Sequence, residues 1–457
     1  MPPLMPSLAV VVAPVLAAIA PSSEPPPAVS AADTVWMLVA TALVLLMTPA
    51  LGFFYGGMVR AKNALNTLMM SFAALGVVGL VWVALGYSLA FAPGSAIVGG
   101  LDFALLRGVG LEAKGTIPHL LFMAYQGTFA IITAALISGA VVERMRFVPF
   151  VAFMALWTLA VYAPLAHWVW GGGWLGALGV LDYAGGTVVH VNAGVAAAVA
   201  ATVVGGRRAY GRQALLPHNV PFVVLGAALL YVGWFGFNAG SALGASPAAA
   251  LAFVNTLLAP MGALVVWLAI DLARTGRVTA VGLATGLVVG LVAITPAAGF
   301  VGPMAAIVLG ACAAVPSYFA ILLRPRTRLD DSLDVLSAHG VGGITGALLT
   351  GVLARAAWGG TDGLLAGHPR QLLLQLVGVA AAALYSGVAT LAVLKLVALA
   401  LPLRASAREE GSGMDLAEHG EEAYGDGDGT ILVLPEHVPA PGTAAALAPR
   451  AAMEGAA

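Results

Sequence analysis

The sequence predicts an all-α polytopic membrane protein with eleven transmembrane helices, and three observations predict it. Hydrophobic residues make up 60% of the 457 residues and charged residues only 9%, whereas about a quarter of a soluble domain is charged. Apolar windows of about 20 residues, the length that a spanning helix requires, recur from Val35 to Leu401. The chain also has 57 glycines, and small residues let spanning helices pack closely.

Charge and cysteine content exclude some classes of function. The net charge is −1, so nothing indicates nucleic-acid binding. Cys312 is the only cysteine, which excludes disulfides and cysteine-based metal sites within the chain.

The first 33 residues are predicted to be a signal peptide and an exposed N-terminus. Residues 8–20 read LAVVVAPVLAAIA, which is apolar but too short to span a bilayer comfortably. Small residues suited to a cleavage site follow, although a basic region ahead of the apolar run is missing. The alternative is a retained short helix, against which the proline interruptions argue.

A predicted transmembrane domain occupies residues 34–403 and is followed by two further segments. Its eleven predicted spans are 34–58, 65–92, 116–142, 147–167, 184–205, 219–241, 247–271, 279–296, 302–323, 335–357 and 371–401. Residues 404–425 are acidic and glycine-rich, as expected of a cytoplasmic regulatory tail. Residues 426–457 are rich in alanine, proline and glycine, a composition that predicts a disordered C-terminal extension.

Basic residues indicate how the spans are oriented. Of the 20 Lys and Arg residues, fourteen lie in loops after odd-numbered spans or at the start of the tail, and four lie in the opposite loops. Because basic residues concentrate on the cytoplasmic side, the N-terminus is predicted outside and the C-terminus in the cytoplasm. The pairs Arg144–Arg146 and Arg324–Arg328 are interpreted as topology signals.

An odd number of spans allows an inverted 5+5 repeat followed by one long C-terminal helix. His190 lies in the fifth span and His339, 149 residues further on, lies in the tenth. These are corresponding positions, and inverted repeats place their site near the bilayer midplane between the halves.

The same two apolar runs each combine an acid with a histidine, Asp182 with His190 and Asp334 with His339. An ionisable side chain is costly in lipid, so each is a candidate functional residue. Three interpretations of the two histidines are open. They form a functional pair, they bond separately to backbone carbonyls, or they bind haem or a metal. No Asp, Glu or Cys lies near them in the helical phase that a metal site needs. Asp182 is either a helix N-cap or a residue that handles substrate.

Aromatic residues cluster at the outer ends of the third, fourth and sixth spans. The segments are YQGTFA with Tyr125 and Phe129, HWVWGGG with Trp170, and YVGWFGFNAGS with Phe237 and Ser241. One interpretation is an interfacial aromatic belt. The other is a vestibule for a cation, because ring faces attract ammonium-type groups.

Taken together, these segments resemble the ammonium transporter family (Amt/Mep/Rh). The matching motifs, in order, are FFYGGMVRAKN, FMAYQGTFA, HWVWGGG, LDYAGGTVVHVNA, LPHNVPFVVLG, YVGWFGFNAGSA, LAFVNT, LVAITPAAGFV, DVLSAHGVGGITG and, in the tail, GMDLAEHGEEAYG. Trp170 and Ser241 resemble the bacterial Amt type rather than the Rhesus type. The resemblance extends from about Thr34 to Gly425.

The resemblance implies a homotrimer with one pore per subunit, in a bacterial cytoplasmic membrane and in contact with its lipids. It implies external recruitment by Phe129, Trp170 and Ser241, a pore gate of Phe129 and Phe237, a pore-lining proton relay of His190 and His339, and a supporting and deprotonating acid at Asp182. Tyr125 departs from the second phenylalanine of many bacterial relatives, and its hydroxyl is a candidate cause of altered wetting or affinity. The tail is expected to bind a PII-type (GlnK-like) regulator.

The expected function is therefore transport of ammonium or methylammonium, with no enzymatic activity and no cofactor. An intact ammonium ion would lose solvation on the order of tens of kcal/mol in an apolar pore, and two cation–π contacts of about 2 kcal/mol each cannot offset this. Neutral ammonia is thus the expected permeant species, with proton movement. An ammonium sensor on the same fold, an electroneutral ammonia or carbon dioxide channel, and a haem or metal protein remain as alternatives.

Overall fold

The computed structural model describes residues 28–424, and in this part of the chain it is built almost entirely of apolar helices. Ten of these helices are long and apolar enough to cross a membrane, so the prediction of a multi-pass membrane protein is confirmed. The predicted signal peptide falls largely outside the described residues, and the extension over residues 426–457 falls wholly outside them.

Ten helices of spanning length and one shorter apolar helix follow the order of the predicted spans. They are α1 (Ala31–Met58), α2 (Ala61–Phe91), α3 (His119–Val141), α4 (Phe147–Leu178, broken after Trp170), α5 (Gly186–Val204), α6 (Val220–Gly240), α7 (Pro247–Thr275), α8 (Ala280–Ile294), α9 (Pro303–Arg326), α10 (Leu336–Leu353) and α11 (Pro369–Ala400). A two-stranded antiparallel ribbon, β1 (Ala113–Lys114) and β2 (Ile117–Pro118), precedes α3. Two short helices form the tail, α12 (Ala407–Ser412) and α13 (Met414–His419).

Helix α8 is shorter than the span predicted over residues 279–296. It has 15 residues and ends at Ile294, just before Thr295 and Pro296, because the residue before a proline is disfavoured in a helix. At 1.5 Å per residue it is about 22 Å long, less than the hydrocarbon core of about 30 Å. The non-helical turn that follows is buried within the protein, where irregular backbone at membrane depth is tolerated.

Corresponding helices of the two predicted halves pack against each other. The first helices, α1 and α6, share the most extensive helix pairing among the described residues, and α5 crosses α10. At that crossing, a side chain added to Gly194 would lie 2.3 Å from the backbone nitrogen of Gly340, so only glycine allows the approach. This pairing of first with first and last with last supports the inverted repeat.

Both helices of the α5–α10 pair begin with a π-helical turn that contains the histidine. The turns are Gly186–Val191 and Leu336–Val341, and each continues directly into an α-helix. Such turns occur frequently at functional sites. Here they place His190 and His339 at the start of two helices that are held in close contact.

The loops after α1, α3, α5 and α9 lie on the same face of the molecule as the tail, which we call the tail face. A buried ion network joins them: Arg207 contacts Glu143 at 2.7 Å and Asp330 at 2.8 Å. Burial raises the pKa of both carboxyls, but Arg207, together with Arg60 at Glu143 and Arg144 at Asp330, outweighs burial and holds each pKa below its usual value. Removing one partner of such a buried pair is strongly destabilising.

Arg144, interpreted from sequence as a topology signal, is also fully buried in this face. Its guanidinium donates to the main-chain oxygens of Gly205 at 2.6 Å and Asp330 at 2.6 Å, and to the Ser332 hydroxyl at 2.6 Å. Arg144 therefore ties three loops together.

The tail is docked on this face through its own acidic residues. The Asp415 carboxylate accepts the main-chain N–H groups of Leu65 at 3.0 Å and Asn66 at 2.7 Å, at the start of α2. Glu410 pairs with Arg404 at 2.9 Å and is 4% exposed. Burial raises the pKa of Asp415, against the lowering effect of those N–H groups. The acidic composition thus reflects specific docking contacts.

Candidate functional site

Two phenylalanine rings close the entrance to the interior at the end opposite the tail face, which we call the aromatic face. Phe129 on α3 and Phe237 on α6 are stacked with ring centroids 4.1 Å apart, and each is 1% exposed. The Trp170 ring meets Phe129 edge-on at 6.1 Å and is partly exposed. The three rings predicted to recruit and gate a cation therefore lie together, with Trp170 on the solvent side.

Ser241 and Tyr125 lie beside this pair. The Tyr125 hydroxyl donates to the main-chain oxygens of Gly236 or Phe237, at 3.0 and 2.9 Å, and lies 3.3 Å from the Ser241 hydroxyl. The Ser241 hydroxyl in turn donates to the Phe237 oxygen at 2.9 Å. The phenol that replaces phenylalanine is thus bonded to the C-terminal end of α6 and buried, with 0% exposed.

Asp182 is placed as a cap for the helix that carries His190. Its two carboxylate oxygens accept the main-chain N–H groups of residues 185–188 at 2.6 to 3.0 Å. Its main-chain oxygen accepts the Trp170 indole N–H at 2.9 Å. Of the two interpretations of this residue, the geometry favours capping, and the same residue also holds the Trp170 side chain.

His190 and His339 contact each other directly. Their Nδ1 atoms are 3.2 Å apart. Both residues are buried, His190 being 2% exposed and His339 4% exposed. The indole of Trp234 stacks on His190 at 5.5 Å, and Phe237 lies 6.0 Å from the same ring. The Nε2 atom of His190 is buried without a hydrogen-bond partner among the described residues, so it is available to a small polar guest.

Two cavities continue from the phenylalanine pair to the tail face. The first, about 10 Å³, touches Phe237, Trp234, His190 and His339, and this is close to the minimum that holds one water-sized molecule. The second, about 240 Å³, begins at His339 and contains the Asp271 and Tyr318 side chains. His339 lines both cavities, so it lies between a narrow apolar chamber and a wider vestibule that contains polar groups.

The histidine pair fits a haem or metal poorly. Zinc sites usually have three or four protein ligands, whereas the two Nδ1 atoms of this pair lie 3.2 Å apart in direct contact with each other. Within residues 28–424, no group of three or more His, Cys, Asp or Glu side chains is arranged to hold a metal ion. The pair is better suited to a hydrogen bond between the rings.

Sequence reasoning missed the acid that corresponds to Asp182 in the second half. The sequence indicates Asp334 as the acid of the second run, but the Asp334 carboxylate pairs with Arg324 at 2.5 Å. The buried Asp331 caps α10 instead, accepting the Leu336 N–H at 2.7 Å. A usable signal was present, since Asp331 precedes His339 by the same eight residues as Asp182 precedes His190 (339 − 331 and 190 − 182).

The vestibule residues Trp267, Asp271 and Tyr318 were also missed. The Tyr318 hydroxyl donates to Asp271 at 2.8 Å, and the Trp267 and Tyr318 rings meet edge-on at 4.9 Å. Nothing in the local sequence distinguishes them from ordinary helix-end residues, because their meeting depends on the packing of α7 against α9.

Comparisons with known proteins agree with the resemblance found in the sequence. A model of the Ammonium Transporter Family matches residues 35–424. An ammonium transporter from Bacillus subtilis strain 168 is 47% identical over 400 residues, which cover 86% of this chain and 98% of the relative. An ammonium transporter from Aquifex aeolicus strain VF5 is 49% identical over 399 residues, covering 86% and 93%.

Solved structures of similar proteins share the fold. The crystal structure of Candida albicans Mep2 matches with a TM-score of 0.79 at 38% identity, covering 83% of this chain and 88% of that one. A structure described as a sensor Amt protein matches with a TM-score of 0.80 at 29% identity, covering 85% and 98%. The likeness therefore extends over nearly all of the described residues.

Proposed function

The chain belongs to the ammonium transporter family, and from that premise we propose that it recruits the ammonium ion at the aromatic face and conducts neutral ammonia to the cytoplasm. The observation that carries the proposal is the order of the interior: stacked rings 4.1 Å apart, then a histidine pair 3.2 Å apart in a chamber of about 10 Å³. A chamber this small and apolar has no room for an ion with its water.

Recruitment depends on the partly exposed Trp170 and Ser241 with the Phe129 ring. A desolvated cation–π contact contributes about 2 kcal/mol, enough to concentrate ammonium at the entrance but far below its solvation energy. The ion must therefore lose a proton before it passes Phe129 and Phe237. Potassium has no proton to lose, so the same chamber excludes it.

The histidine pair serves both the ammonia and the released proton. The buried Nε2 atom of His190 offers ammonia a hydrogen-bond partner in an otherwise apolar chamber. The short contact between the two Nδ1 atoms provides a route for the proton, so that transport moves charge. Two imidazoles in such contact titrate as one unit rather than as separate groups.

Orientation and assembly belong to the same proposal. The tail face carries most of the basic loop residues, which supports placing it in the cytoplasm. We propose eleven membrane crossings, with α8 completing the count, and a homotrimer with one pore per subunit in a bacterial inner membrane.

Current measurements on reconstituted full-length protein test the proposal. On a solid-supported membrane, an ammonium pulse is expected to produce a transient current, whereas an equal potassium pulse gives no more than empty liposomes. The physical reason is that only ammonium can leave its charge outside the chamber. Potassium current comparable to the ammonium current would overturn the proposal.

The likeness to a sensor Amt protein supports a second candidate, an ammonium sensor. The continuous series of chamber and vestibule favours transport, because a sensor needs no exit. Ammonium binding without any current or uptake, in protein of normal thermal stability, would favour the sensor instead.

We also propose that the tail is required for a PII-type regulator to bind. Truncation after Leu403 removes α12 and α13 and is expected to abolish co-purification of the regulator, because the tail supplies much of the tail face. The measurement is pull-down of the PII protein from a defined mixture with purified transporter.

Truncation after Gly425 is the matched control, since it keeps every described tail contact. Asp415→Asn adds a milder change, because Asp415 accepts two N–H groups of α2 and an amide can accept only part of them. Regulator binding that survives truncation after Leu403 would contradict the proposed role.

A further inference from the structure

An open cavity of about 570 Å³ on the tail face is lined by five arginines. They are Arg207, Arg208, Arg212, Arg328 and Arg404, joined by Tyr210. We call it the arginine cavity. Its lining within residues 28–424 includes no Asp or Glu, and it is separate from the chamber and vestibule of the pore.

Only two of the five arginines have a carboxylate partner within the part of the chain that the structure describes. Arg207 is held by Glu143 and Asp330, and Arg404 is held by Glu410 at 2.9 Å.

The other three arginines lack such a partner. Arg208 donates to a main-chain oxygen, that of Ala407, at 3.0 Å. The Glu410 carboxylate accepts the main-chain N–H of Arg208 at 2.6 Å, but among the described residues no carboxylate lies within ion-pair distance of the guanidinium groups of Arg208, Arg212 or Arg328. The cavity therefore concentrates positive charge that the protein itself does not neutralise.

The loops that supply these charges are fixed relative to each other. The Tyr210 hydroxyl donates to the main-chain oxygens of Arg324 or Leu329, at 3.0 and 2.8 Å. This bond joins the loop after α5, which carries Arg212, to the loop after α9, which carries Arg328. The preference for basic residues on the cytoplasmic side explains arginines in both loops, but it does not explain their convergence on one cavity, since like charges repel.

We propose that the arginine cavity binds a phosphate-bearing anion. Planar guanidinium groups bind phosphate oxygens in pairs with charge-assisted hydrogen bonds, and three unpaired arginines would neutralise one such group. Helices α5, α9 and α11 end near the cavity, and Leu323, two residues before the cavity-lining Pro325, is 54% exposed. This position lies at headgroup depth and favours an anionic phospholipid over a soluble phosphate compound.

The test compares two arginine-to-glutamine double variants of the full-length protein. R212Q/R328Q removes two arginines whose side chains form no ion pair with the tail or with the buried ion network among the described residues. R274Q/R277Q removes two exposed arginines, one from the last turn of α7 and one from the loop after it, on the same face but outside the cavity. Thermal unfolding without ligand checks that both variants are folded like the parent.

Native mass spectrometry measures binding of phosphatidylglycerol, with phosphatidylcholine as the neutral comparison. Each basic residue near an anionic surface contributes about fivefold to affinity, so R212Q/R328Q is expected to bind phosphatidylglycerol roughly 25-fold more weakly. R274Q/R277Q and all phosphatidylcholine binding are expected to remain within about twofold of the parent.

In a second experiment, inorganic pyrophosphate is titrated into the parent protein and both double variants, and the increase in the temperature of thermal unfolding is measured. Stabilisation by pyrophosphate that needs Arg212 and Arg328, without any preference for phosphatidylglycerol, identifies a soluble phosphate compound as the occupant and supports the proposed chemistry. Equal loss of lipid binding in both double variants would show diffuse charge attraction and overturn the cavity site. Binding of both probes that is independent of Arg212 and Arg328 would overturn it as well.

Discussion

Replacing both His190 and His339 by leucine is expected to abolish ammonium-evoked current in proteoliposomes. Leucine keeps the chamber apolar and filled, but it removes the proposed hydrogen-bond partner of ammonia and the 3.2 Å contact between the Nδ1 atoms. An unpaired polar group costs roughly 1–3 kcal/mol, which slows passage by about 5- to 150-fold. Without the contact between the two imidazoles, the proton released from ammonium has no route through the chamber, so no current is expected even from residual ammonia passage.

The measurement is peak current on an ammonium pulse, with protein content matched by quantitative blotting. His368→Leu is the matched control, because His368 is an exposed histidine ahead of α11 and far from the pore. It is expected to leave the current unchanged. Undiminished ammonium current in the His190/His339 double variant would show that the pair does not relay protons.

The sequence located this pair because burying a polar side chain in lipid is costly, and few residues in the spans are polar. Matched positions in the fifth and tenth spans predicted that His190 and His339 would meet, and the two rings are in contact. The same reasoning predicted the neighbourhood of Phe129, Phe237 and Trp170. Such a site is predictable from the sequence because the position of each residue along its own helix can be derived from the span boundaries.

Hydropathy could not predict which acid supports each histidine. Asp334 lies within the apolar run, but it has a positive φ of 59° and turns toward Arg324, whereas Asp331 caps α10. The π-helical turn shifts the register between acid and histidine, and α-helical spacing does not anticipate that shift. Backbone geometry, rather than the energy of transferring the side chain from water to lipid, decides that Asp331 and not Asp334 caps α10.

Contacts between distant loops were equally hidden from the sequence. Arg144 is interpreted from the sequence as a topology signal, but its side chain is buried among main-chain carbonyl oxygens. Asp415 lies in an acidic, glycine-rich tail, yet it caps α2 some 349 residues earlier in the chain. Local hydropathy and charge patterns indicate whether a residue prefers water or lipid. They contain no information about a contact with a residue that is distant in the sequence.

The Asp182→Ala variant is expected to lose methylammonium uptake completely while remaining assembled. The substitution leaves the main-chain N–H groups of residues 185–188 without the carboxylate that accepts them. Each buried unpaired group costs roughly 1–3 kcal/mol, so the turn that carries His190 must rearrange. The Trp170 indole is bonded to the main chain of the same residue, and it moves with that turn.

Uptake of labelled methylammonium by cells and the thermal stability of purified protein together distinguish the roles of this acid. Asp102→Ala, at an exposed aspartate of the aromatic face, is the control and should transport normally. Asp182→Asn keeps an acceptor oxygen for part of the turn without the negative charge. Partial uptake in this variant identifies a positioning role, because a residue that attracts the cation by charge would fail as completely with asparagine as with alanine. Full activity of a correctly assembled Asp182→Ala protein would contradict both roles.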